Sequence, residues 1–160
     1  VKETAEISEY LPDLETQGRQ ISVRRLMDHT SGIKGFTEMP EFREIGQSTL
    51  PREDLLRLIE KQPFEFEPGE ALIYNNSAYF LMGLIIEPVS RQSFEEYVDQ
   101  NLFSPAGMEN SSYCSNSALV EQKAQGYQYS DEGLKLARCH DHTWPYAAGS
   151  LCSTISDLLA

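Results

Sequence analysis

The sequence predicts a single, mainly α-helical domain over residues 1–160, and three segments carry that expectation. The run Tyr74 to Ile86 holds no charge, and Ala78 to Ile86 is apolar throughout, so a helix from about Ser77 to Val89 should lie at the centre of the core. Leu55, Leu56, Leu58 and Ile59 recur at helical spacing behind Glu53 and Asp54, whose charges suit the positive end of a helix dipole. Ser93-Phe94-Glu95-Glu96 has the form of a capping box, opening an amphipathic helix that buries Phe94, Tyr97, Val98 and Leu102.

The other elements follow in chain order. Leu11-Pro12-Asp13 is a turn and Thr16 to Gln20 a polar loop. Ser22 caps a short helix through His29, with Val23, Leu26 and Met27 on one face, and Gly32 ends it. Lys34 to Thr49, containing Gly35, Pro40 and Gly46, reads as loop with room for one helical turn. Ser48 or Thr49 can cap the next helix, Pro51 suits its first turn, and Pro63 terminates it. Phe64 to Glu67 and Ala71 to Tyr74 read as extended on either side of the Pro68-Gly69 turn, with Asn75 or Asn76 capping the central helix. From Asn110 to Tyr146 the pattern is weak, with Gly126 to Tyr129 and the Asp131-Glu132-Gly133 turn suggesting a hairpin or irregular loops. Thr154-Ile155-Ser156-Asp157 announces one more helix just before Ala160, which is the expectation for a chain cut from something longer.

Composition excludes more than it suggests. Thirteen Lys and Arg against 25 Asp and Glu leave a net charge of −12, the wrong sign for nucleic acid or an anionic membrane surface. The longest apolar run is far below the roughly 20 residues a membrane helix requires, so no membrane-spanning segment is expected. Val1 opens the chain without a basic n-region or an apolar h-region, so no targeting segment is read. Cys114, Cys139 and Cys152 lack the short spacing of a metal or redox site and are expected as free, buried thiols. His140-Asp141-His142 has no further ligands at metal-site spacing and reads as a solvated loop. The acidic Glu95, Glu96 and Asp99 read as a solvated helix face. No cofactor is implied.

Five blocks then carry a resemblance. Ile7 to Pro12, Ile21 to Ile33 with its His29-Thr30-Ser31-Gly32 core, Phe66-Glu67-Pro68-Gly69 with Tyr74-Asn75-Asn76-Ser77-Ala78-Tyr79, Ser104 to Met108, and Ala148 to Thr154 resemble, in order, blocks of the serine β-lactamases and penicillin-binding proteins. The similarity is to the class C-like branch, with its D-alanyl carboxypeptidases and esterases. It implies the helical part of that fold, with short extended segments and without the family's antiparallel sheet. The family's chemistry uses an S-x-x-K nucleophile motif, a Y-x-N motif and a K-T-G-like strand. Tyr74-x-Asn76 matches the second, which implies Tyr74 as the catalytic base and Asn76 as the substrate-binding and lysine-contacting anchor. Apart from the resemblance, this pair reads as a buried aromatic and a helix cap. A tyrosine ionises near pH 10, so a basic role near neutrality needs positive charge close by.

The one literal S-x-x-K, Ser31 to Lys34, leaves a helix between Gly32 and Gly35, and the family places its own before the Y-L-P block, so Ser31 is expected to be a turn residue. No K-T-G-like segment follows Tyr74. His29 stands where the family has a packed histidine. Pro88 should end or kink the central helix, and Arg91 replaces a usual glycine after it. Together these imply part of a serine hydrolase acting on a small amide or ester through an acyl-enzyme, this stretch being inactive alone and able to self-associate through an uncovered apolar face. The alternative is a non-catalytic binding module derived from that family.

Overall fold

The computed structural model describes residues 1–46, 48–115, 117, 119–121, 123–137 and 141–159. Its elements are α1 (Val23–Met27), α2 (Pro40–Ile45), α3 (Arg52–Glu60), α4 (Asn76–Ser90), α5 (Phe94–Val98), α6 (Ser104–Ala106), β1 (Ser112–Tyr113), β2 (Tyr127–Ser130), β3 (Gly133–Leu136), β4 (Leu151–Cys152) and α7 (Ile155–Leu158). Short 3-10 turns form at Ile7–Glu9, Phe36–Glu38 and Tyr146–Ala148, and α5 runs through a π-helical stretch, Asp99–Phe103, into α6.

Helix α4 is the axis of the molecule. Ala78, Phe80, Leu81 and Ile85 are buried, and α1, α5 and the turn at Tyr146–Ala148 pack around them. Phe80 and Phe94 each meet Tyr146 edge to face, Phe42 meets Trp144 in the same way and Phe36 lies tilted against it, so aromatic rings fill the space between α4 and the C-terminal third. Gly83 lets the backbones close: a Cβ there would lie 2.4 Å from the Tyr146 ring and 2.6 Å from the Ala147 Cβ. Pro88 does not stop α4, which continues to Ser90; in the last turn it removes a single hydrogen bond, and the helix ends at Arg91 with φ 60°.

A polar network fastens α3 and α5 to the end of α4. Arg52 donates to Glu87 and to Glu95, each at 2.7 Å, and its guanidinium lies 3.8 Å from the centre of the Tyr146 ring. The Tyr146 hydroxyl donates to Glu87 at 2.7 Å. Burial, and then that bond to an anion, push the Tyr146 hydroxyl pKa well up, so it stays a donor. Glu95 is therefore an ion-pair partner rather than part of a solvated face. Leu102, expected inside, is 54% exposed, because the chain leaves α-helical spacing at Asp99.

The expected mainly α fold without a sheet does not hold. Helix makes up 39% of the structure, and the described residues form two antiparallel two-stranded sheets. In one, β1 pairs with β4, Ser112 opposite Cys152 and Tyr113 opposite Leu151. In the other, β2 and β3 form a hairpin pairing Tyr127 with Leu136 and Tyr129 with Leu134. The thiol expectation fails as well: Cys114 and Cys152 form a disulfide, their Cα atoms brought to 5.5 Å by the β1–β4 ladder. Cys139 lies outside the described residues.

Candidate active site

The site begins where α1 ends. Thr30 N–H reaches back to the Arg25 carbonyl and His29 N–H to the Leu26 carbonyl, so the helix closes in a Schellman motif with His29 at the left-handed position, φ 60°. Gly32 follows with φ 76°, and its missing side chain is required, since a Cβ would fall 2.0 Å from the Phe66 carbonyl oxygen. The loop from His29 to Gly32 thus templates the extended segment behind it. Glu65 N–H donates to Gly32 O, Gly69 N–H to Thr30 O, and Ile73 N–H to His29 O.

The same loop seats the start of α4. Asn75, 4% exposed, caps the helix by accepting from Ala78 N–H at 3.0 Å, while its amide donates to the Ile33 carbonyl. Ser77 accepts from Phe36 N–H at 2.9 Å and donates to the Lys34 carbonyl at 2.7 Å. Between these buried anchors Asn76 faces outward. Its Oδ1 accepts from the Tyr74 hydroxyl at 3.2 Å, and its Nδ2 donates to the Thr37 hydroxyl at 3.3 Å. Tyr74 is 66% exposed, so the two side chains share one open surface. The cap is thus Asn75, and Tyr74 is no core aromatic.

Ser31 and Lys34 are not brought together as a nucleophile and its activator. Ser31 is 1% exposed, its Oγ accepting from Ile33 N–H. Lys34 Nζ donates to Glu65 at 2.6 Å and to Glu38 at 3.2 Å. The bonds to Glu65 and then Glu38 raise the Lys34 pKa, which holds its proton more tightly, whereas an activating base must give it up. Asp141 and His142 do not form a solvated loop. Asp141 is 8% exposed and accepts from Thr49 and from Thr143, and burial lowers the His142 pKa; His140 lies outside the described residues. Among the described residues no group of three or more His, Cys, Asp or Glu side chains could hold a metal ion. The neighbours that sequence reasoning missed are His29 and Thr37. Their contacts with residues 74–76 span about forty positions, and no local spacing announces them.

Comparison with known proteins places this geometry. The β-lactamase family model matches residues 4–160. The chain is 29% identical over 152 residues to a putative penicillin-binding protein, PbpX, of Bacillus subtilis, covering 95% of this chain and 37% of that one. It is 24% identical over 152 residues to the teichoic acid D-alanine hydrolase of Staphylococcus aureus, covering 95% and 36%. The crystal structure of a D-stereospecific amidohydrolase from Streptomyces sp. superposes with a TM-score of 0.84 at 24% identity, over 99% of this chain and 51% of that one. The chain thus spans about a third of the length of the curated relatives and half of the solved structure. The match to the family runs almost end to end, and the superposition covers nearly the whole chain: the chain belongs to the β-lactamase family.

Proposed function

We propose that residues 1–160 form the central domain of a serine hydrolase that cleaves a small amide or ester through an acyl-enzyme. Tyr74 is the base and Asn76 the anchor for the substrate, while the nucleophilic serine and its lysine come from outside these residues. One observation carries this: the Tyr74 hydroxyl and the Asn76 amide meet at 3.2 Å on an open surface, held by buried caps on both sides. The hydroxyl hydrogen-bonds Asn76, and no cation among the described residues is bonded to it. A tyrosine acts as a base near neutrality only beside positive charge, and in this reading the rest of the enzyme supplies that cation. With that cation present, the phenolate accepts the serine proton as Oγ attacks the carbonyl, and returns it to the departing nitrogen or oxygen.

Without serine and lysine the 160-residue chain is inactive. Two relatives act, by name, on D-alanine groups or D-configured substrates, so D-alanyl esters and amides are the first to assay. In the intact enzyme, Tyr74→Phe should lower kcat by about 10²–10⁴-fold with KM nearly unchanged. Undiminished turnover in Tyr74→Phe would remove Tyr74 from the chemistry.

A second reading is a non-catalytic binding module derived from the same family. A fluorophosphonate probe separates the two, since labelling of one serine in the intact protein requires the hydrolase. Self-association is proposed on the apolar groove beside α1 and α4, lined by Val1, Val23, Met27, Met82, Ile85 and Ile86.

A further inference from the structure

We propose that His29 is the residue that places the Tyr74 hydroxyl, an inference that rests on Tyr74 being the base. His29 occupies the C′ position of the α1 cap at φ 60°, where glycine is the residue without strain. A residue that bears a side chain is strained in that left-handed conformation. The cap would close equally well with no side chain, so the Schellman bonds give no reason for an imidazole.

The reason lies in what the ring and carbonyl touch. His29 O accepts from Ile73 N–H at 3.1 Å, and His29 Nδ1 accepts from Asn75 N–H at 3.2 Å. Residues two apart in an extended chain present their N–H groups to the same side, so one residue holds both flanks of Tyr74. The imidazole also lies against the Tyr74 ring, centroids 4.7 Å apart, and stacks on Tyr79 at 5.0 Å on an interplanar angle of 27°. Tyr79, on the first turn of α4, is fixed by its hydroxyl donating to the Met27 carbonyl at 3.2 Å. Tyr74 is otherwise exposed and, among the described residues, bonded through its hydroxyl to Asn76, so the histidine supplies what fixes its ring and backbone.

The test uses three substitutions in the intact enzyme. His29→Gly relieves the left-handed strain and deletes ring and acceptor together. His29→Asn tolerates the same φ and puts Oδ1 where Nδ1 stood, restoring the bond to Asn75. Tyr74→Phe is the control for the base. The expected result is a folded His29→Gly protein whose Tm is not below wild type by more than a few degrees. Its kcat falls about 10²-fold, the size of effect a misplacement of about 1 Å produces, with KM little changed. His29→Asn recovers at least tenfold of that loss. In parallel, the Tyr74 ring resonances should shift and sharpen in His29→Gly as the ring gains freedom, a readout that needs no turnover.

Wild-type kcat and unshifted Tyr74 resonances in His29→Gly overturn the proposal, as does a His29→Asn protein no better than His29→Gly. If Tyr74→Phe is inactive while His29→Gly is fully active, placement by His29 fails and Tyr74 as base survives. If Tyr74→Phe is itself fully active, the reading of Tyr74 fails whatever His29 does.

Discussion

At the scale of single residues, two opposing effects meet at Gly83 and their sizes decide the outcome. Alanine is the better helix former by about 1 kcal/mol, so substitution in the middle of α4 should stabilise if space allowed. Space does not allow it, because the new Cβ would sit 2.4 Å from the Tyr146 ring and 2.6 Å from the Ala147 Cβ. The ring cannot swing aside: its hydroxyl is bonded to Glu87, Arg52 covers one face, and Phe80 and Phe94 meet it edge-on. Overpacking of this kind costs roughly 1–3 kcal/mol, which exceeds the propensity gain. Gly83→Ala should therefore lower Tm by a few degrees, read by calorimetry; an unchanged or higher Tm would show that the α4–Tyr146 contact is looser than it stands. The same scale shows what sequence can carry. Tyr74 and Asn76 were legible because two residues at one spacing form a local motif. His29 was legible as a position but not as their partner, since its contact with Asn75 spans 46 residues.

Between elements, the C-terminal third is joined by two devices that leave almost no trace in local pattern. Strands β1 and β4 are two residues each, too short to show alternation, and hairpin β2–β3 keeps Tyr127, Tyr129, Leu134 and Leu136 on one exposed face. With no buried face, its alternation is weak, so the turn at Asp131-Glu132-Gly133 suggests a hairpin without deciding it against irregular loops, and the fold reads as too helical. The Cys114–Cys152 bond closes 38 residues of chain, and in the chain-entropy account such a loop is worth about 4 kcal/mol. Cys114→Ser with Cys152→Ser should then lower Tm by roughly 10 °C for a domain of this size; a loss under one or two degrees would mean that packing alone holds β1 against β4. The second device is Asp157 in α7, which accepts from Asn110 N–H at 2.8 Å and from Ser111 Oγ at 2.7 Å. The Ser111 bond first, then those from Asn110 and Thr154, hold its carboxyl below the ordinary 3.8. The folded state then binds fewer protons than the unfolded one, so this stabilisation is present above pH 3.8 and is lost as pH falls through the lowered folded value. Asp157→Asn should lower Tm at neutral pH and flatten its decline in acid; a wild-type acid limb would take Asp157 out of the pH response.

For the molecule as a whole, five short blocks in the right order identified the family although the balance of helix and sheet was misjudged. Blocks record turns, caps and close approaches such as Gly32 against Phe66, whereas secondary-structure content depends on long-range pairing. The remaining whole-molecule property is association, where charge and apolar surface compete. A net charge of −12 repels like copies, and that repulsion is screened within about 10 Å at 0.1 M salt. Against it stands a groove of about 410 Å³ beside Glu3, lined by Val1, Val23, Met27, Met82, Ile85 and Ile86, with Met27 45% exposed. Water contact there is unfavourable at roughly 25 cal/mol per Å² of apolar surface, and salt does not screen that term. Raising ionic strength should therefore strengthen association of the 160-residue chain, the opposite of what an assembly held by ion pairs would do. Sedimentation velocity across a concentration series at low and high salt reads this directly. Met27→Glu together with Met82→Glu should return the chain to monomer at both. A wild-type chain that stays monomeric at every concentration in high salt would show that the groove is no contact surface between copies.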